Sequence, residues 1–192
     1  LADVEADVVE HAGDFLSAPE NGGLEAAVRR ALKHGPADGP FRRYRVNVVI
    51  DHSGTQGAPV VFEDRPTHAN LAGRIEHTVE MGALSTDFTL IRPGALHRAA
   101  GGYLVLDALR LLQAPWAWES LKRTLRRGEI RLESIGQQLG LTETVTLEPE
   151  PIRIAGLKVL LVGDRYIYHL LAEADPEFLE LFKVIADFED AT

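Results

Sequence analysis

The chain has no cysteine, which excludes a disulfide framework and a thiolate metal site. That absence suits a reducing compartment, so a cytoplasmic setting is the expectation. No apolar run approaches the roughly 18 residues that a membrane-spanning helix needs, and the acidic start, Leu1-Ala2-Asp3-Val4-Glu5, is unlike a signal peptide. No membrane partner is expected. Basic residues are scarce as well: 20 Lys and Arg face 29 Asp and Glu, for a formal net charge of -9. Nucleic acid is therefore disfavoured as a partner, because its recognition relies on cations that neutralise phosphates. No Gly-x-x-x-x-Gly-Lys-Ser/Thr pattern occurs, so the chain has no such backbone cradle for nucleotide phosphates. Methionine occurs once, at Met81, and the first residue is Leu1. The expectation is a piece of a longer polypeptide.

What is present describes an ordinary globular chain. A hydrophobic fraction of 45% and a charged fraction of 26% over 192 residues allow one compact domain with an appended element. Val4, Val8, Ala12, Phe15 and Leu16 fall at helical spacing, and Leu24, Ala27, Val28, Ala31 and Leu32 form a second stripe closed by His34-Gly35-Pro36. These make a short helical segment over 1–35. Two glycines and two prolines within 35–40 read as a linker. Beyond it, strands are predicted at Tyr44–Ile50, Pro59–Phe62, Phe88–Ile91, Tyr103–Leu106 and Leu157–Val162, with alternation also around Val145 and Leu147. Helices are predicted at Pro66–Ile75, Gly94–Ala99, Trp116–Arg127, Arg165–Glu173 and Asp175–Phe182. Strands that alternate with helices predict a layered α/β domain with a largely parallel sheet over 41–192.

The run Tyr103-Leu104-Val105-Leu106 ends on Asp107, where open α/β sheets bind ligands. A carboxylate there either holds magnesium through water or caps the next turn, and both readings stand at this point. The run Lys122-Arg123-Thr124-Leu125-Arg126-Arg127 is basic, and on a helix a solvated face is the simpler reading than a nucleic-acid contact. Ser53 follows His52, yet a turn serine is favoured over a nucleophile. His52, His68, His77 and His97 do not show the spacing of a zinc site, and His97 reads as structural. Trp116 and Trp118 stand two apart and cannot share a helix face, so one of them is expected to be exposed or at an oligomer contact.

The run Pro93-Gly94-Ala95-Leu96-His97-Arg98-Ala99-Ala100-Gly101-Gly102-Tyr103-Leu104-Val105-Leu106-Asp107 resembles the Walker-B stretch and its lead-in in Lon-like ATP-dependent proteases. Asn70-Leu71-Ala72-Gly73-Arg74-Ile75-Glu76-His77 is similar to a second element of that family, and Val162-Gly163-Asp164 to its sensor-1 strand. The resemblance covers Tyr44 to Asp190 and looks closest to the branch with a divergent ATPase region, with the first helices at the end of an insertion.

The resemblance implies an AAA+-type layered domain, carrying the Walker-B and sensor-1 part of an ATPase module. That module would couple ATP binding and hydrolysis to substrate delivery in a serine endopeptidase. The alternative is a degenerate AAA+ scaffold that forms the ring and gates an ATP-independent peptidase. Asp107 matches the Walker-B aspartate that helps to position magnesium. Ala108 stands where a water-polarising glutamate is usual, and Asp164 where sensor 1 is usually a polar amide. Lys183 falls near the position of a trans-acting arginine finger. Met81, in Glu80-Met81-Gly82-Ala83-Leu84, corresponds to the substrate-gripping pore region. ATP and magnesium would be the cofactors, a homo-oligomeric ring the assembly, and unfolded proteins the substrates. This piece alone, without a phosphate loop or a serine and lysine pair, is expected to be inactive and to hold no cofactor tightly.

Overall fold

The computed structural model describes residues 2–13, 44–80, 83–132 and 147–188. The expected helix around Leu24–Leu32, the linker over 35–40, Met81 and the alternation at Val145 lie outside the described residues. The chain divides into two compact units, Leu1–Asn47 and Val48–Thr192. In the first, α1 (Ala2–Glu10) forms where apolar spacing predicts a helix, and the Tyr44 hydroxyl donates to Asp7 Oδ2 at 2.7 Å. Tyr44–Ile50, expected as a strand, is not one. Val46 and Val48 are 82% and 63% exposed, so this alternation buries no face, and a strand without a ladder partner gains nothing from it.

The second unit begins with β1 (Val60–Glu63), α2 (His68–Ala72), β2 (Arg74–Ile75), β3 (Thr78–Glu80), β4 (Ala83–Ser85) and β5 (Ile91–Arg92). It continues with α3 (Ala95–Arg98), β6 (Tyr103–Asp107), α4 (Ala108–Gln113), α5 (Ala117–Arg127) and β7 (Glu129–Ile130). The last described elements are β8 (Ile152–Arg153), β9 (Lys158–Val162), α6 (Arg165–Ala174) and α7 (Pro176–Leu181). Strands β1, β6 and β9 form a three-stranded parallel sheet with β6 in the middle. Leu104 is in register with Val61 and Val159, and Leu106 with Glu63 and Leu161. The period of two puts Leu104 and Leu106 on one face, where both are fully buried in a core shared with Leu71 of α2, Leu96 of α3 and Leu121 of α5. The remaining short strands pair antiparallel, β2 with β5, β3 with β4 and β7 with β8.

The opposite sheet face stays open, with Val60, Phe62, Leu160 and Val162 between 44% and 69% exposed. Gly102 sets the register on the β1 side. A side chain there would run into the Pro59 carbonyl oxygen, the same oxygen that accepts from Tyr103 N at 2.8 Å.

Three segments depart from the sequence reading. The helix expected over Pro66–Ile75 stops at Ala72, because Gly73 leaves helical geometry and Arg74 begins β2. Phe88–Leu90 is a 3-10 turn rather than a strand. The Asp87 carboxylate accepts from Thr89 N at 2.7 Å and from Thr89 Oγ1 at 2.6 Å, which winds the chain before Ile91 pairs in β5. Helix α4, not foreseen, starts directly after β6. By contrast α5 ends as expected at Gly128, in the left-handed conformation with φ 67. No helix among the described residues is long and apolar enough to cross a membrane.

The basic run on α5 is not simply a solvated face. Lys122 is 5% exposed and its Nζ lies 2.8 Å from Asp175 Oδ2, 2.9 Å from Glu119 Oε1 and 3.4 Å from Glu177 Oε2. Trp118 Nε1 donates to the same Asp175 oxygen at 2.8 Å, and the Trp118 ring stacks on Phe182. The physical reason is distance in sequence: the acid that draws Lys122 inward comes from the α6–α7 junction. Burial pulls the Lys122 pKa down, but hydrogen bonds to Asp175 and Glu119 outweigh it and the net shift is upward. Burial likewise raises Asp175, and its bonds to Lys122 and Trp118 turn the net shift downward. The pair therefore stabilises the fold above the unfolded carboxylate range and below the unfolded lysine range, which includes neutral pH. Lys122→Met should destabilise by about 3 kcal/mol, because Asp175 is left in a poorly hydrated site without its cation. Urea unfolding at pH 7 measures this, and a loss below about 1 kcal/mol would show that Asp175 does not need Lys122.

His97 is fully buried. Its Nδ1 accepts from Gly94 N at 3.3 Å, so the neutral ring carries its proton on Nε2, which has no hydrogen-bond partner in the described structure. Burial lowers its pKa to about 4. A depressed histidine favours the neutral form, so its contribution is complete above the unfolded value near 6.5 and declines as pH falls toward 4. His97→Gln should remove about 2 kcal/mol of the stability difference between pH 7 and pH 4.5. Chemical denaturation at the two pH values decides it, and an unchanged difference would place that acid sensitivity on other groups.

Candidate functional site

Parallel strands finish on one edge, and here that edge collects Asp64 just after β1, Asp107 at the end of β6 and Asp164 just after β9. Asp107 is in register with Val162, the last residue of the adjacent strand, which sets Asp164 two residues beyond that strand's end. The Asp107 Oδ1 accepts from Arg110 N at 2.9 Å and so caps α4. Its second oxygen has no protein donor among the described residues. Arg110 reaches sideways from α4, where Nη1 donates to the Asp64 carbonyl at 2.9 Å.

The arrangement thus realises the capping reading of Asp107, while the free oxygen leaves room for a metal-bound water. Magnesium accepts one or two carboxylates and completes its shell with water and substrate phosphates. Among the described residues there is no group of three or more His, Asp or Glu side chains able to cage a metal. A lone carboxylate of this kind fits a metal that brings phosphate oxygens and water as its other ligands.

Ala108, the next residue, points elsewhere. It is 5% exposed and packs in a second core with Ile167, Leu171 and Phe178. Gly163 faces it so closely that a side-chain carbon there would lie 3.1 Å from the Ala108 Cβ. Position 108 is thus an apolar packing position between α4 and α6.

Asp164 lies on the same edge as Asp107, and its Oδ1 accepts from Tyr166 N at 2.9 Å, which caps α6. Lys183 is exposed in the coil after α7, and no hydrogen bond or ion pair joins it to Asp107 or Asp164 among the described residues. The same coil is tied back by an ion pair between Arg165 and Asp187. Met81 lies outside the described residues. The hairpin on either side of it pairs Val79 with Leu84, and both are exposed, at 70% and 59%.

Other motif residues do structural work. Glu76 bridges Arg92 Nε and Arg74 Nη2, each at 2.7 Å, and the hydrogen bond from Arg92, followed by that from Arg74, holds its pKa below the usual value. Arg98 pairs with Glu63 at 3.0 Å. Trp116 is the exposed tryptophan of the pair, in a left-handed conformation ahead of α5. Sequence reasoning did not foresee the reach of Arg110 or the burial of Ala108. The only signal for the first was its position three residues after a capping aspartate.

Residues 56–189 match the family described as LonB-like, AAA domain. A putative Lon protease homolog of Escherichia coli (strain K12) is 33% identical over 104 residues, which span 54% of this chain and 17% of that protein. The chain thus matches less than a fifth of the length of this relative. With a parallel sheet, an aspartate at the end of its middle strand and a family match over most of its length, the chain belongs to the LonB-like AAA domain family.

Proposed function

We propose that this chain is the Walker-B and sensor part of the ATPase module of a Lon-like ATP-dependent serine protease. The observation that supports it most directly is Asp107, which stands at the C-terminal end of the central parallel strand with one carboxylate oxygen that has no protein donor among the described residues. In this reading magnesium, bound with ATP, would offset charge on the transferred phosphoryl group. Asp107 would orient the metal through water from its free oxygen, while its other oxygen holds the start of α4. Ala108 contributes no base, and Asp164, a helix cap with negative charge, suits a position near rather than against the phosphates. The phosphate cradle would come from residues outside this chain, as would the serine and lysine of the peptidase. ATP hydrolysis would then drive a homo-oligomeric ring that delivers unfolded proteins. The apolar Val79 and Leu84 pair fits contact with such chains next to Met81, and Lys183 is the candidate cation for a neighbouring subunit's site.

The test is magnesium-dependent ATP hydrolysis by the full-length protein that carries this chain. Asp107→Asn is the informative variant, because asparagine also caps helices but lacks the charge. It should lower turnover on the order of a hundredfold while thermal stability stays close to the parent. Turnover equal to wild type would remove Asp107 from the metal site. Absence of hydrolysis in both proteins would favour the scaffold that gates an ATP-independent peptidase.

Position 108 gives a second expectation. Ala108→Glu should not accelerate hydrolysis, and should destabilise the fold by about 3 kcal/mol, because the carboxylate enters a packed apolar site. A faster enzyme of unchanged stability would mean that the side chain at 108 reaches the edge of the sheet.

A further inference from the structure

The sheet face turned away from the core is apolar in its middle and charged only at its two ends. Strand alternation assigns Val60 and Phe62 of β1, Tyr103 and Val105 of β6, and Leu160 and Val162 of β9 to this face. The residues of the two outer strands are exposed, and Tyr103 and Val105 are half-buried. The same alternation gives the face Lys158, at the start of β9, and Asp107, at the end of β6. Lys158 Nζ lies 5.4 Å from the centre of the Tyr103 ring, which holds this cation over the end of the face where the strands begin.

All-parallel sheets occur with both faces covered, because crossover helices pack on each. Here α2, α3 and α5 share the core face, and the open face has the composition of a second one. Its size selects the kind of element that fits. The five-residue strands β6 and β9 are about 16 Å long, and three strands side by side are about 14 Å wide. One helix with its side chains is about 10 to 12 Å across, so a single helix fills that width. A face of a few hundred Å² is well below the roughly 800 Å² per partner of a standard interface, which is too little to hold a second copy of this chain by itself. The charges select the direction of the helix. A helix is partly positive at its N-terminus and partly negative at its C-terminus. With its N-terminus at Asp107 and its C-terminus over Lys158, each end meets the opposite charge. That direction is antiparallel to the strands, as a crossover between parallel strands requires.

We propose that this face seats one amphipathic helix from the same polypeptide, outside these 192 residues, running antiparallel to β6 with its N-terminus at Asp107. The scale of the matched relative is in keeping with such a source, since the 104 aligned residues are 17% of that protein. The helix turns apolar residues at i, i+3, i+4 and i+7 toward Phe62, Val105 and Leu160. It occupies the face whether or not the protein hydrolyses ATP.

The test is photo-crosslinking in the full-length protein that carries this chain, with p-benzoylphenylalanine in place of Lys158 in one variant and of Val162 in another. A third variant carries it in place of Phe62, where the probe extends an aromatic ring already present and disturbs folding least. Positions 158 and 162 are about 13 Å apart along β9, a distance that about nine helical residues span. The expected result, read by mass spectrometry of the cross-linked peptides, is that all three probes attach within one chain to a single segment outside the 192 residues. The site reached from 162 should precede the site reached from 158 by about nine residues. The reverse order would overturn the proposal, as would attachment to a second copy, which doubles the mass on a denaturing gel and assigns the face to self-association. Attachment within the 192 residues, or no attachment to protein from any of the three positions, would overturn it equally. Hydrolysis plays no part in the readout, so a protein inert toward ATP still reports on the helix.

Discussion

The double pairing of β6 governs this structure. Held between β1 and β9 in parallel register, the strand has no freedom to slide without breaking ladder bonds on two sides. A slip of one residue would also turn Leu104 and Leu106 out of the core and bring Val105 and Asp107 in. The constraint that seats two leucines against α2, α3 and α5 therefore also fixes Asp107 at the edge. Core and candidate site are two consequences of one register.

Helix α5 shows how one element serves several neighbours through its 3.6-residue period. Ala117 and Leu121 face the core. Trp118, Lys122 and Arg126 form a second side that meets Asp175 and Glu177. Ser120, Arg123, Thr124 and Arg127 form a third side, along a small polar cleft that His68 of α2 and Glu129 of β7 also line. What looked in sequence like one basic run is divided by helical geometry into a clamp for α7 and an opening toward β7. The two uses are compatible because they occupy different angles around the same axis.

Much of this was legible in the sequence, and the reasons are local. Strands β6 and β9 are short apolar runs bounded by glycine or charge, and α5, α6 and α7 carry their own caps in Gly128, Asp164 and Asp175. The edge position of Asp107 followed from where its apolar run ended. What failed depended on partners far along the chain or on single side chains that redirect the backbone. Tyr44–Ile50 alternates correctly but does not form a strand, and Val46 and Val48 stay exposed. Asp87 turns Phe88–Leu90 into a helical turn, which β-propensity alone does not register. Lys122 could not be placed inside without Asp175, which is 53 residues away.

The same distinction explains Ala108. Read in sequence, it is an alanine in place of a catalytic glutamate, as if one side chain had been lost from an otherwise intact edge. In the structure the backbone has already turned into α4 at this residue, since Asp107 accepts the Arg110 amide and begins the helix. A side chain at the first helical position then packs among Ile167 and Leu171 of α6 and Phe178 of α7. The carboxylate that is the candidate for the metal is therefore also the group that turns its neighbour inward. Any acid that polarises water at this edge has to come from a position other than 108.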